Sequence, residues 1–121
     1  MTLAAGCADS RPRRDAVGDT AVLLLTAARD GDGAAACAVL APDTVSALEQ
    51  SANASCADAI VEEDLPEPGT VRHVRVYGQR AQVVLDDDTV FLAAFPGGWR
   101  VVAAGCQPQG ERPYDCVLQE G

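Results

Sequence analysis

At 121 residues, the chain is one domain with room for a single modest core and not two. Its 18 acidic residues outweigh nine basic ones, all arginine, and the net charge of -9 speaks against nucleic acid as a partner, because that field repels phosphate backbones. Apolar residues make up 48% of the chain but aromatic ones only 4%, so any pocket would be walled by small side chains.

Met1 to Cys7 reads MTLAAGC. Leu3-Ala4-Ala5-Gly6-Cys7 resembles a bacterial lipobox, where small residues before the cysteine allow cleavage and the cysteine becomes a lipidated N-terminus. A secretory signal needs a basic n-region and an apolar run of roughly 7–15 residues, and only five residues precede Gly6-Cys7, so either the chain starts late or the resemblance is chance. The bland alternative is a free N-terminal cysteine. Parity favours lipid: of five cysteines, giving Cys7 to an anchor leaves four for two bridges. The following stretch to Asp15, ADSRPRRD, has nothing apolar enough to pack and reads as a flexible tether. Residues 1–14 are thus expected to be lipobox-like segment and tether, and residues 15–119 a single domain.

Asp15 to Asp30 is predicted to be the first helix, with Val17, Ala21, Leu24, Leu25 and Ala28 on one face and Asp15 and Asp19 in the first turn. Its apolar run, Thr20 to Ala28, is far too short to span a membrane. Gly31-Asp32-Gly33 breaks it. A short second helix, Ala34 to Leu40, carries Cys37. A third, Asp43 to Gln50, is capped by Asp43 or Thr44, and a last one follows a Ser55 cap through Cys56, Ala59 and Ile60. Cys37 and Cys56, with 18 residues between them, lie on neighbouring helices too short to be stable alone. A bridge there is worth about 3 kcal/mol by loop-closure entropy; the alternative is two buried reduced thiols. Leu65 to Gly69, LPEPG, marks the boundary to the sheet.

From Thr70 the apolar period becomes two. Val71 to Tyr77 alternates, with Val74 and Val76 on one face beside Arg72, and His73, Arg75 and Tyr77 on the other. Gly78-Gln79 turns the chain into Arg80 to Leu85, whose inner residues are Ala81, Val83 and Leu85. Asp86-Asp87-Asp88 is expected to be a solvated hairpin tip, since a calcium loop spreads its acids over alternate positions. Thr89 to Phe95, a Pro96-Gly97-Gly98 turn and Trp99 to Cys106 follow, the last apolar on both faces and so expected to be central. Gln107 to Arg112 is predicted to be a loop, and Pro113 to Gln119 a final strand. A Cys106–Cys116 bridge would tie that strand back onto the fourth. The cysteines show no Cys-x-x-Cys or Cys/His metal spacing, so no metal or cofactor is expected, and an exported, disulfide-bonded protein fits better.

This order of helices and strands, with the Leu24-Leu25 helix, Arg29-Asp30-Gly31-Asp32, V-R-V-x-G, V-F-L and Gly97-Gly98-Trp99-Arg100-Val101, resembles the nuclear transport factor two-like, or SnoaL-like, superfamily. The endings GGWRVVAAGC and PYDC resemble small exported actinobacterial proteins of that type, commonly lipoproteins. The resemblance implies an α+β fold, with N-terminal helices packed on a curved antiparallel sheet of four to five strands as a cone. It also implies that cones of this type dimerise through the open sheet face, and that enzymes of the superfamily place an Asp or His with Tyr inside the cone.

The function expected from these readings is a non-enzymatic cell-envelope domain on the extracellular face of the membrane, anchored at Cys7, that binds a partner protein or small ligand or forms a homodimer. The alternative is a small isomerase or cyclase using His73 and Tyr77, with Arg75, in a cone pocket. No catalytic set is assigned, because an acid/base histidine needs an orienting partner and a substrate pocket. Trp99 is read as core rather than as a ligand platform.

Overall fold

The computed structural model describes residues 11–120. Four helices, α1 (Arg11–Arg29), α2 (Gly33–Ala38), α3 (Pro42–Ala52) and α4 (Cys56–Ile60), precede five strands: β1 (Val71–Tyr77), β2 (Arg80–Leu85), β3 (Thr89–Phe95), β4 (Gly98–Gln109) and β5 (Arg112–Gln119). The fold is the α+β arrangement expected. The strands form one antiparallel sheet in the order β1-β2-β3-β4-β5, each hairpin partner lying beside the next.

Helix α1 lies on the sheet through Val17, Ala21, Leu24 and Leu25, all fully buried. Ala27 is buried beside them, in place of the expected Ala28. The helix stops at glycine: Gly31, at φ +79°, donates to the Ala28 carbonyl while Asp32 donates to that of Ala27. This crossed pair satisfies carbonyls that have no partner within the helix. Asp32 then caps α2, its carboxylate accepting from the Ala35 amide at 3.1 Å.

The start of α1 differs from expectation. Arg11 to Arg14 are helical and not part of a tether, and Asp15 and Asp19 lie beyond the first turn. The cause is a docking partner far along the chain. Arg13 donates to the Gly78 carbonyl at 2.8 Å and sets its guanidinium 5.6 Å from the centre of the Trp99 ring. Residues 1–10, with the lipobox-like segment and Cys7, lie outside the described residues.

Helices α2 and α4 meet at Gly33. A Cβ added there would fall 2.0 Å from the Ala57 carbonyl oxygen, so only glycine permits the approach. The Cys37–Cys56 disulfide, with an Sγ–Sγ distance of 2.03 Å, locks the same pair. Ser55 caps α4 as expected, accepting from the Asp58 amide. The cap of α3 does not follow expectation. Ala41 holds that position without a side-chain bond, Pro42 begins the helix, and Thr44 is buried with its hydroxyl donating to the Val102 carbonyl at 3.0 Å.

The interior between α1 and the sheet is packed, and a concavity of about 310 Å³ opens between α3 and β5 beside Thr44, Leu48 and Leu118. Leu24, Leu25, Ile60, Val83, Val90, Leu92 and Val101 are each fully buried in the core. Trp99 is half-buried and packs against this core, consistent with a core role. Strand β4 is interior to the sheet but next to the edge, with β3 central. Its pairing with β3 slips twice, between Thr89 and Phe91 and between Phe91 and Leu92, and such bulges bend a strand. Beyond the end of β5, segment 39–41 takes its place: Val101 donates to the Val39 carbonyl and Ala41 to that of Val101, both at 2.8 Å.

The predicted loop over residues 107–112 is mostly strand. Strand β4 continues to Gln109, turns at Gly110-Glu111 and returns from Arg112. The pairing of Cys106 with Cys116 holds, and their disulfide ties β5 to β4 (Sγ–Sγ 2.09 Å).

Gly33→Ala should lower unfolding stability by about 3 kcal/mol, because the methyl group forces α2 off α4 where neither backbone can give way. Urea denaturation of the oxidised protein measures this, and a change under about 0.5 kcal/mol would show that the close approach has no structural weight.

Candidate functional site

Two places collect side chains that could do more than pack: the turn of three aspartates and the outer face of the sheet. The aspartates are not a uniformly solvated tip. Asp88 is 4% exposed, and its two carboxylate oxygens accept from the backbone amides of Gly105 (3.1 Å) and Cys106 (2.8 Å) in the neighbouring turn of sheet. Burial pushes its pKa above the ordinary value of 3.8, against the pull of the backbone amides of Cys106, Gly105 and Thr89. Asp86 is held by the Thr70 amide at 2.8 Å and by an ion pair with Arg72, which together hold its pKa below 3.8. Asp86 and Asp88 are thereby engaged in joining strands.

The outer face follows from strand alternation. Val74, Val76, Ala81, Val83 and Leu92 turn towards the helices and join the core, so their neighbours point the other way. Register then places Tyr77, Arg80, Ala93 and Arg100 in one row across four strands, and Arg75, Gln82 and Phe91 in the next. Tyr114 on β5 leans over this second row. Its ring meets Phe91 edge-on, with centroids 5.0 Å apart and planes at 74°, and its hydroxyl accepts from Gln82 Nε2 at 3.4 Å.

His73, Arg75 and Tyr77 therefore do share a face, but it is the face away from the helices, and all three are exposed. Arg75 donates through Nε to His73 Nε2 at 2.9 Å. Tyr77 is 55% exposed and stands four residues along the strand from His73, about 13 Å at the usual rise. His73 borders an open groove with Arg14, Asp15 and Arg72, while Tyr77 borders a separate one with Arg80 and Phe91. The two expected partners in chemistry thus open onto different concavities. Arg80, Phe91 and Tyr114 were not singled out from the sequence. The signal that finds them is cross-strand register, which requires the hairpin pairings to be known.

The chain matches no protein-family model, no curated protein and no solved structure.

Asp88→Ala should cost on the order of 3 kcal/mol, since it strands two buried amide donors. The two acids should also titrate oppositely. The folded-state pKa of Asp86 lies below 3.8, so its stabilisation is present above pH 3.8 and is lost as pH falls through the lowered value. That of Asp88 lies above 3.8, so the folded state keeps this proton longer than the unfolded chain, and stability declines as pH rises through the window above 3.8. Urea midpoints across the acid range for Asp86→Asn and Asp88→Asn should flatten the lower and upper windows respectively; unchanged profiles in both variants would contradict these roles.

Proposed function

We propose that this chain is a non-enzymatic binding domain of the cell envelope, exported and lipid-anchored through Cys7, which binds its partner on a surface and not in an enclosed pocket. The observation that carries this reading is the packed core between helices and sheet, where Leu24, Leu25, Val83, Leu92 and Val101 are fully buried, while the concavity of about 310 Å³ between α3 and β5, lined by Thr44, Leu48 and Leu118 among others, opens to solvent. A substrate within that core would have to displace close-packed side chains.

Two further observations support it. The bridges Cys37–Cys56 and Cys106–Cys116 belong to oxidising compartments, and they leave Cys7 as the one cysteine outside a bridge. Helices followed by an antiparallel sheet with a bulged, curving strand is the architecture that the nuclear transport factor two-like resemblance implies. His73 and Tyr77, the pair an isomerase or cyclase would need, stand apart on the exposed face.

Intact-mass and peptide mass spectrometry of the protein from its native host tests the reading. The expected result is a diacylglyceryl-modified Cys7 at the N-terminus and no free thiol among the other four cysteines. Finding Cys7 unmodified within a longer chain, or four free thiols, would overturn the anchored, exported assignment.

A further inference from the structure

Charge is sorted in this fold in a way the overall count conceals. Five of the nine arginines, Arg72, Arg75, Arg80, Arg100 and Arg112, lie in strands, against one of the 18 acids, Asp115. Strands β1 to β4 contain no acidic residue at all. Apart from Asp115 the acids sit on helices, turns and connections; register puts Arg75, Arg80 and Arg100 on the outer rows while Arg72 is ion-paired with Asp86, so the outer face over β1 to β4 is a cationic island on an acidic protein.

That island is also aromatic. Arg75 and Arg80 make no ion pair among the described residues, and they flank Tyr77, Phe91 and Tyr114 on adjoining rows. Tyr77 and Tyr114 are 55% and 37% exposed. Arginine, tyrosine and phenylalanine in the absence of lysine, glutamate and aspartate is the composition of protein–protein interface centres. Building on the surface-binding reading above, we propose that this face, centred on Arg75, Tyr77, Arg80, Phe91 and Tyr114, docks an acidic segment of a partner protein.

Charge complementarity selects that occupant. A second copy joined face to face would set arginines against arginines at a two-fold axis, whereas a copy offering its acidic helices would make a head-to-tail contact that does not close. A long polyanion would overrun the island, which is four strands or about 14 Å across, and meet the acids at its margin. A short acidic segment stays inside it, and beyond about 8 Å the remaining acids are screened at physiological salt. The edge-to-face angle of Phe91 and Tyr114 makes a corner suited to a side chain, and not the flat platform that a sugar ring stacks on.

The test is an amide NMR titration of the full disulfide-bonded chain with a decapeptide of alternating glutamate and leucine. Shifts are expected at Arg75, Tyr77, Arg80, Phe91 and Tyr114, with none from the lysine–leucine counterpart. The double variant Arg75→Glu, Arg80→Glu should bind the acidic peptide at least about tenfold more weakly, with an unchanged melting temperature because both side chains are exposed. Shifts confined to another surface, equal binding of the basic peptide, or full affinity in the double variant would overturn the proposal. So would equal occupancy of the same residues by a single-stranded oligonucleotide or by phosphatidylglycerol vesicles, or a dimer by sedimentation that buries this face. None of these outcomes touches the mass-spectrometric test of Cys7, so the two readings fail separately.

Discussion

The carboxylate of Asp88 is the constraint on which the sheet half depends. It accepts two successive backbone amides, those of Gly105 and Cys106, where the pairing of β4 with β3 slips. A slip leaves amides that the ladder does not satisfy, and an unsatisfied buried amide costs as much as a lost hydrogen bond. An acid brought from the preceding turn solves the problem, and it must be buried to do so. Gly105 takes φ +68° there, and a Cβ on it would fall 2.8 Å from that of Val117 on β5. The bulge therefore also sets how closely β5 can approach, and Cys106 emerges from it directly opposite Cys116. Acid, glycine and disulfide form one local unit that bends β4 and holds the last strand.

The helical half has a matching unit of different chemistry. Helices α2 and α4 are six and five residues long, too short to persist alone. They are joined by backbone contact at Gly33 and by the Cys37–Cys56 bridge. A core of alanine, valine and leucine buries less area per residue than one rich in aromatics, so covalent closure of short loops contributes a large share of a small domain's stability. One bridge thus joins the two shortest helices, and the other ties the last strand to the fourth.

What could be read from the sequence divides along the range of the interactions. Alternation over Val74 to Leu85 sorted inner from outer residues because a strand's period is a local property, though at the slip before His73 it is Val71 and not Arg72 that joins the core, and four of the five residues expected on the buried face of α1 are fully buried for the same reason. Cysteine parity and spacing anticipated both bridges. Beyond small local slips, such as Ala27 for Ala28 and the cap of α3, the misses are long-range. Asp86, Asp87 and Asp88 look alike in sequence, and only the amides of Gly105 and Cys106 distinguish the last. Arg11 to Arg14 look like a tether until Trp99 and Gly78 are brought alongside Arg13. Pro108 and Gly110 look like loop residues. The β3 pairing ends at Cys106, so beyond it β4 has only β5 beside it, and an edge tolerates proline.

The same limit explains why the candidate site was half legible. His73, Arg75 and Tyr77 share one strand, so their common face is visible from alternation alone; which side of the sheet that face looks onto is not. The helices settle it by claiming the other side, since Val17, Leu24 and Leu25 on α1 find their partners in Val83, Leu92 and Val101, and β1 must then turn Val74 and Val76 inward. Once the inner face is spent on the core, Arg75 and Tyr77 are left on the surface, and register carries Arg80 and Phe91 to their side. The small aliphatic side chains of that core leave Arg75, Tyr77, Arg80 and Phe91, which have no place in it, to carry the polar and aromatic chemistry of the opposite face.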